Sequence, residues 1–330
     1  MDDNKTQVAS VYMVYTPTSV TNYTNFKLST ANAAFHEDQL AVACGDYNVF
    51  VWRRQTTNVS VIDDSMMAII RGNSDSIPSK VPEFRVDLEF ALGRRYEIEK
   101  PSVVNLTADG KLLLFIWGLT RYDSLDGTLD SPGLWGRVYN RDLRAWVTAS
   151  QFNLNATTTG DQKFVVGERL DDLKFLVVFE SPDESCKGIW YRIFSPANEG
   201  DLVNNIWTGG YQHRVNSVQA FDQTNPRVLH TPGKIIICWD SEHETGSYII
   251  CQFVNASTGT FIGPNIIMVN SLGSNMLLSM AYRSNPEGFP IILYKNDHSA
   301  YHGGLTGFFT HYEMYTDVGH RIRDLIASDR

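Results

Sequence analysis

The chain has 330 residues and a mass of 37.2 kDa, with 43% hydrophobic and 20% charged side chains. That is ample material for a sizeable core, and it excludes disorder, collagen-like repeats and a long coiled coil. The 28 basic and 37 acidic residues leave a formal charge of −9, which makes nucleic acid and anionic lipid poor partners, and no apolar run reaches the ~20 residues of a membrane-spanning helix.

The first residues, MDDNKTQVAS, show no basic segment followed by an apolar one, so no signal peptide is read there. VASVYMVYTP, from Val8, reads as a strand. From there one pattern recurs, an apolar β-rich run closed by an aromatic. It occurs as NVFVW at Trp52, LLFIW at Trp117, FLVVF at Phe179, IIICW at Trp239 and PIILY at Tyr294, at intervals of 65, 62, 60 and 55 residues. Another β-rich run precedes each: LAVAC from Leu40, PSVVNL from Pro101, KFVVGERL from Lys163, PRVLHT from Pro226 and MLLSMAY from Met276. After a polar loop comes a third run, as in MMAIIRG from Met66, GLWGRVYN from Gly133, GIWYRIF from Gly188, SYIICQF from Ser247 and LTGFFTHY from Leu305. A fourth follows in EFRVDLEF from Glu83, SQFNLN from Ser150 and PNIIMVN from Pro264. Helical periodicity is confined to the C-terminal HRIRDLIASD, the one amphipathic helix candidate.

About four antiparallel strands per unit, repeated five times, predict an all-β fold, a β-propeller of five blades. Tandem β-sandwiches are the competing architecture, but they give no reason for one motif to recur at near-constant spacing. As a single domain over 1–330, the blades fall at 36–95, 96–158, 159–220, 221–271 and 272–330, with 8–17 closing the ring.

Four cysteines are too few and too scattered for a disulfide scaffold or a CxxC metal site. Cys238 and Cys251 face each other if the hairpin turns between Glu244 and Thr245, and they read as small buried hydrophobes rather than as a bonded pair. Six N-x-S/T sequons, at Asn4, Asn22, Asn58, Asn105, Asn155 and Asn255, favour a secreted or extracellular protein, with the cytoplasm as the other reading.

In the fourth unit, Gln223, Pro226, Gly233, Trp239, Gln252, Phe253 and Gly259 form a pattern. The second unit keeps Pro101, Gly110 and Trp117, and the third keeps Gln162 with Phe179 in place of tryptophan. The pattern resembles repeats of bacterial and protist surface proteins found near calcium-binding toxin-type modules. The resemblance implies a propeller of surface-type blades and carries no catalytic residue.

Sites in such a fold gather on loops and on the first strand of each blade. Segments leading into the first strands carry Asp38, Glu99, Asp161 and Asp222, while Cys44, Asn105, Glu168 and His230 sit at comparable depth further along. Of these, Asp161, Glu168, Asp222 and His230 are the candidate acids and bases, since glycoside hydrolysis needs two carboxylates across a pocket. Trp135, Trp190 and Tyr301 border the loops and are placed to stack on a sugar ring, with Asn105 as a further ligand contact. Asp123, Asp126 and Asp130 supply three hard oxygens from one loop, the donor set that Ca²⁺ takes, though not at EF-hand spacing. No HExxH, GxSxG, Walker or dinucleotide fingerprint occurs, so no nucleotide cofactor is expected. Two functions remain open. One is a recognition propeller binding a glycan or a protein partner through its loop face. The other is a five-bladed propeller enzyme acting on a carbohydrate or another small molecule through axial carboxylates.

Overall fold

The computed structural model describes residues 12–15, 24–27, 35–43, 47–56, 64–72, 83–87, 95–122, 129–155, 162–182, 186–204, 210–244, 246–269, 274–283, 289–297, 308–315 and 321–327. β1 (Tyr12–Tyr15), within the run expected to close a ring, pairs with β2 (Thr24–Lys27). The first four-stranded sheet is β3 (Phe35–Ala43), β4 (Tyr47–Thr56), β5 (Asp64–Gly72) and β6 (Phe84–Arg85). The second is β7 (Arg95–Asn105), β8 (Leu112–Tyr122), β9 (Leu129–Asn140) and β10 (Ala145–Trp146), with β11 (Phe152–Asn153) also on β9. The third contains β12 (Lys163–Arg169), β13 (Phe175–Pro182) and β14 (Lys187–Phe194), then, past the short helix α1 (Glu199–Val203), β15 (His213–Arg214). β16 (Gln223–Thr231), β17 (Lys234–His243), β18 (Gly246–Asn255) and β19 (Phe261–Val269) make the fourth. β20 (Ser274–Arg283), β21 (Phe289–Asp297), β22 (Phe308–Tyr315) and β23 (Arg321–Ala327) make the fifth. Successive up-and-down sheets in chain order make this an all-β fold of the β-propeller class.

The recurring aromatic has one structural meaning. Trp52, Trp117, Phe179, Trp239 and Tyr294 all lie on the second strand of their sheets, and all are buried. In the first, second and fourth sheets the first strand bulges opposite the tryptophan, between Asp38 and Ala41, Glu99 and Ser102, and Thr224 and Arg227. In the fifth it slips between Leu277 and Ser279, beside Tyr294. A bulge sets extra residues against one partner and bends the strand. Lys100 and Asn225, each followed by proline, take φ of 34° and 55° in two of these bulges, and Phe164 takes 50° on β12.

The motif residues hold this geometry. Gln223 Oε1 accepts the Trp239 indole N–H at 2.7 Å. Phe179 has no such donor, and Gln162 instead accepts from Asn155 Nδ2 at 2.9 Å. Gln252 is buried, accepts from Asn265 Nδ2, and donates to the Gly263 carbonyl at 3.0 Å.

The chain divides into two compact units. One comprises Met1–Val165, Asp171–Leu173 and Pro196–Trp207, and the other Val166–Leu170, Lys174–Ser195 and Thr208–Arg330. In the first unit a core of Val49, Val51, Met66, Val103, Phe115, Trp117 and their neighbours joins the first two sheets. In the second, one cluster joins Leu176, Val178 and Tyr191 of the third sheet to Ile235, Ile237 and Trp239 of the fourth. Another joins Ile236, Cys238 and Cys251 to Leu277, Ile292 and Tyr294 of the fifth.

Two expectations are corrected. His243 pairs with Gly246 as anticipated, and Cys238 faces Cys251, but the two sulfurs are bonded, with Cα atoms 4.1 Å apart. Direct cross-strand neighbours on one face are near enough to close the bond without moving the backbone. The C-terminal segment is strand β23 on the edge of β22, not a helix, because the open ladder of β22 takes up its backbone groups. The Asn155 side chain, in one of the six sequons, is buried, accepting from Leu134 N–H and donating to Gln162.

Candidate functional site

Within each unit a polar side chain next to the aromatic ties one sheet to the next. In the first unit, Arg53 donates to the Ile98 carbonyl at 3.3 Å, while Asp64 accepts the Ile98 N–H at 3.1 Å. In the second, Glu180 Oε1 accepts the Asn225 N–H at 2.6 Å. Asp240 accepts from the Leu277 N–H at 2.7 Å and from Asn225 Nδ2 at 2.8 Å. Glu180 and Asp240 are 2% and 7% exposed, so these two carboxylates are occupied in holding bulges rather than open to a substrate. Arg227 lies nearby. Burial holds its pKa below the usual guanidinium range, against the pull of Asp240 and Glu180.

The sequence-predicted residues are dispersed. Asp161, Tyr301, Asp123 and Asp126 lie outside the described residues, as does Cys44. Asp130 is on β9, in register with Arg121. Among the described residues no group of three or more His, Cys, Asp or Glu side chains is arranged to hold a metal ion. Trp135 faces Trp117 in register and packs half-buried against the first unit's core. Trp190 faces Phe179, with its indole nitrogen buried and unpaired among the described residues. Asn105 ends β7 opposite Leu113. Glu99 forms an ion pair with Lys163 at 3.0 Å. Asp222 accepts the Lys187 N–H at 3.1 Å and pairs with its ammonium at 3.7 Å.

Glu168 and His230 are not equivalent. Leu112, Lys174 and Lys234 each lie five residues before their sheet's aromatic. Leu106 donates to Leu112, Leu170 donates to Lys174, and Thr231 pairs with Lys234. The third-sheet counterpart of Asn105 and His230 is therefore Arg169, and Glu168 points to the other face. Alternation puts Glu168 with Val166 and Leu170, and His230 with Val228. Val166, Leu170 and Val228 all pack against the same cluster between the third and fourth sheets. Glu168 and His230 thus border one apolar layer, from opposite sides. Desolvation there pushes the Glu168 carboxyl up to about 7, against the lowering effect of Arg169.

A cleft of about 230 Å³ opens in the second unit, lined by Lys174, Tyr191, Ser195, Tyr211, His213 and Thr258 among others. It lies at the Phe175–Phe194 end of the β13–β14 hairpin, the end away from the Pro182–Lys187 loop. The Tyr191 hydroxyl donates to the Gly259 carbonyl at 2.5 Å, and its ring stacks on His213 at 5.2 Å. Burial pushes the Tyr191 phenol up to about 12, so it remains a neutral donor. Lys174 Nζ donates to the Ala256 carbonyl at 3.3 Å. Tyr211 is 88% exposed, an aromatic face offered to solvent beside serine and threonine hydroxyls. Among the described residues, none of the lining side chains carries a carboxylate. Sequence reasoning missed this site because it looked to the hairpin loops at the other end. The one local signal was an aromatic set in the polar, glycine-bearing stretch GGYQHR from Gly209.

No family model matches the sequence, and no curated protein matches it. Among solved structures, the chain is similar to an α-L-arabinofuranosidase from Lactobacillus brevis at 10% identity, covering 86% of this chain and 92% of that one, with a TM-score of 0.47. An endo-arabinase from Bacteroides thetaiotaomicron is similar at 9% identity over 70% and 81% of the two chains, with a TM-score of 0.43. A Fusarium graminearum GH93 α-L-arabinofuranosidase, solved in complex with arabinobiose, is similar at 9% identity over 70% and 66%, with a TM-score of 0.44.

Proposed function

We propose that this chain is a carbohydrate-binding β-propeller whose ligand sits in the cleft of the second unit. The observation that carries the reading is the exposed Tyr211 ring beside a concavity lined by Ser195, Ser257 and Thr258. A sugar presents an apolar C–H face and a rim of hydroxyls, and that pairing of an aromatic plane with hydroxyl partners matches both. At about 230 Å³ the cleft is below the roughly 300–1,000 Å³ of drug-sized pockets, which suits one sugar ring rather than a chain of them. The test is a glycan-array screen followed by calorimetry on the hits. Tyr211→Ala should abolish binding at unchanged melting temperature, and binding that survives the change would place the ligand elsewhere.

A second reading, hydrolysis of a glycosidic bond, is favoured by the setting of Glu168: burial against an apolar layer pushes its carboxyl up to about 7, the range in which a general acid works. Release of reducing ends from oligosaccharides, lost in Glu168→Gln, would support it. The disulfide suits an oxidising compartment, which supports a secreted location. Calcium at Asp123, Asp126 and Asp130 is likewise a proposal. It is tested by melting with millimolar Ca²⁺ and then chelator, since an ion bound only to the folded state must raise the midpoint.

A further inference from the structure

We infer that the cleft selects an acidic sugar, one bearing a carboxylate or a sulfate. This inference rests on the carbohydrate reading above and goes further in naming the ligand's charge. The chain as a whole is acidic at −9, yet the cleft inverts that sign. Its lining contains Lys174 and the exposed ring of His213, with no aspartate or glutamate. Arg192 is held at its edge, donating from Nε to the carbonyl of Gly210, which is itself a lining residue.

The geometry of Lys174 suits an anion. An ammonium has three donors, and one of them is spent on the Ala256 carbonyl. That bond anchors the side chain toward the β18–β19 turn. The same turn presents Ser257 and Thr258 to the cleft, where the Ser257 hydroxyl donates to Asn255 Oδ1 at 2.7 Å and the Thr258 hydroxyl is bonded with that of Thr260 at 2.7 Å, so a ligand anion would meet a fixed cation set in a polar turn. The acids nearest in sequence are bonded elsewhere: Asp171 accepts the Asp172 N–H at 2.8 Å, and Asp172 accepts the Ala108 N–H at 2.8 Å. A cation without a carboxylate partner among the described residues costs little in an open cleft, and it attracts a negatively charged ligand most strongly at low salt. The Tyr191 ring, pinned by its hydroxyl bond to Gly259, and the exposed Tyr211 supply apolar contact to the ring carbons. The charge therefore discriminates among sugars, while the aromatic faces hold the ring.

The experiment is calorimetric titration of the full chain with trigalacturonate, its fully methyl-esterified form and a sulfated disaccharide, at low and at physiological salt. The acid should bind about tenfold or more tighter than the neutral ester, the effect of one charge-assisted hydrogen bond. That preference should shrink with salt and largely disappear in Lys174→Gln, whose melting temperature should match the wild type. Tyr211→Ala should abolish binding of acid and ester alike. Tight binding of the sulfated probe in place of the uronate supports the same acidic selectivity and assigns its source to sulfate. Equal binding of acid and ester, or an unchanged preference in Lys174→Gln, overturns the inference while leaving the carbohydrate reading standing. Failure of every saccharide overturns both.

Discussion

Glu180 Oε1 accepts the backbone N–H of Asn225 at 2.6 Å, across 45 residues of sequence, and so fastens the third sheet to the bulge of the fourth. Asp240, one sheet on, does the same for Leu277. Both carboxylates directly follow the recurring aromatic, at Phe179 and Trp239. The Trp239 ring lies opposite the bulge of its own first strand, and in both sheets the side chain after the aromatic addresses the first strand of the following sheet. Arg53, after Trp52, reaches Ile98 from the same position with a donor in place of an acceptor.

Asp240→Ala should therefore lower stability by about 3 kcal/mol, because it leaves the Leu277 N–H without its acceptor and takes a partner from Asn225 Nδ2. The exposed Glu242→Ala should change it by no more than about 0.5 kcal/mol. Urea denaturation measures both. A cost below about 1 kcal/mol for Asp240→Ala would show that the sheets are fastened by packing alone.

Trp239→Phe keeps most of the buried ring but removes the indole donor to Gln223. The expected cost is about 1–3 kcal/mol, from an acceptor left buried without its partner. Changing Gln223 to Leu in the same chain should recover part of it. A double variant no more stable than the single would refute the pairing as the reason for the Gln…Trp pattern.

Glu168 predicts a pH dependence. Its carboxyl goes from 4.5 in the unfolded chain to about 7 in the folded one. A raised acid pKa means the folded state holds the proton more tightly, so this contribution to stability is complete below pH 4.5 and is lost as pH rises toward 7. Glu168→Gln mimics the protonated form. It should be more stable than the wild type by about 3 kcal/mol well above pH 7 and equal to it below pH 4.5. Melting curves across that range decide, and parallel curves would mean the carboxyl is well solvated.

Reduction of the Cys238–Cys251 bond, which closes a loop of separation 13, should cost about 3 kcal/mol. Dithiothreitol should lower the melting temperature of the wild type and leave that of Cys238→Ala/Cys251→Ala unchanged. A wild-type midpoint indifferent to the reductant would mean that the bond adds nothing to folding.

What the sequence determined by itself was the strand repeat. Alternating runs, polar turns and an aromatic at near-constant intervals are local patterns, and the hairpin of Cys238 and Cys251 follows from its turn alone. Whether those two sulfurs bond, however, depends on how closely their Cβ atoms approach, which only the built sheet fixes. RIRDLIA could satisfy its backbone as a helix or a strand, and the open edge of β22 decided for the strand. The depth of Glu168 turned on the lengths of the turns between first and second strands: five residues separate Leu106 from Leu112, but three separate Leu170 from Lys174. Side chains alternate at every step, and the Leu170–Lys174 pairing makes Arg169 the counterpart of Asn105 and His230, so that offset of one residue puts Glu168 on the face opposite its expected one. The cleft was least legible. Lys174, Tyr191, Tyr211 and Thr258 come from four separate segments, and no local pattern records that folding gathers them at one end of two neighbouring sheets.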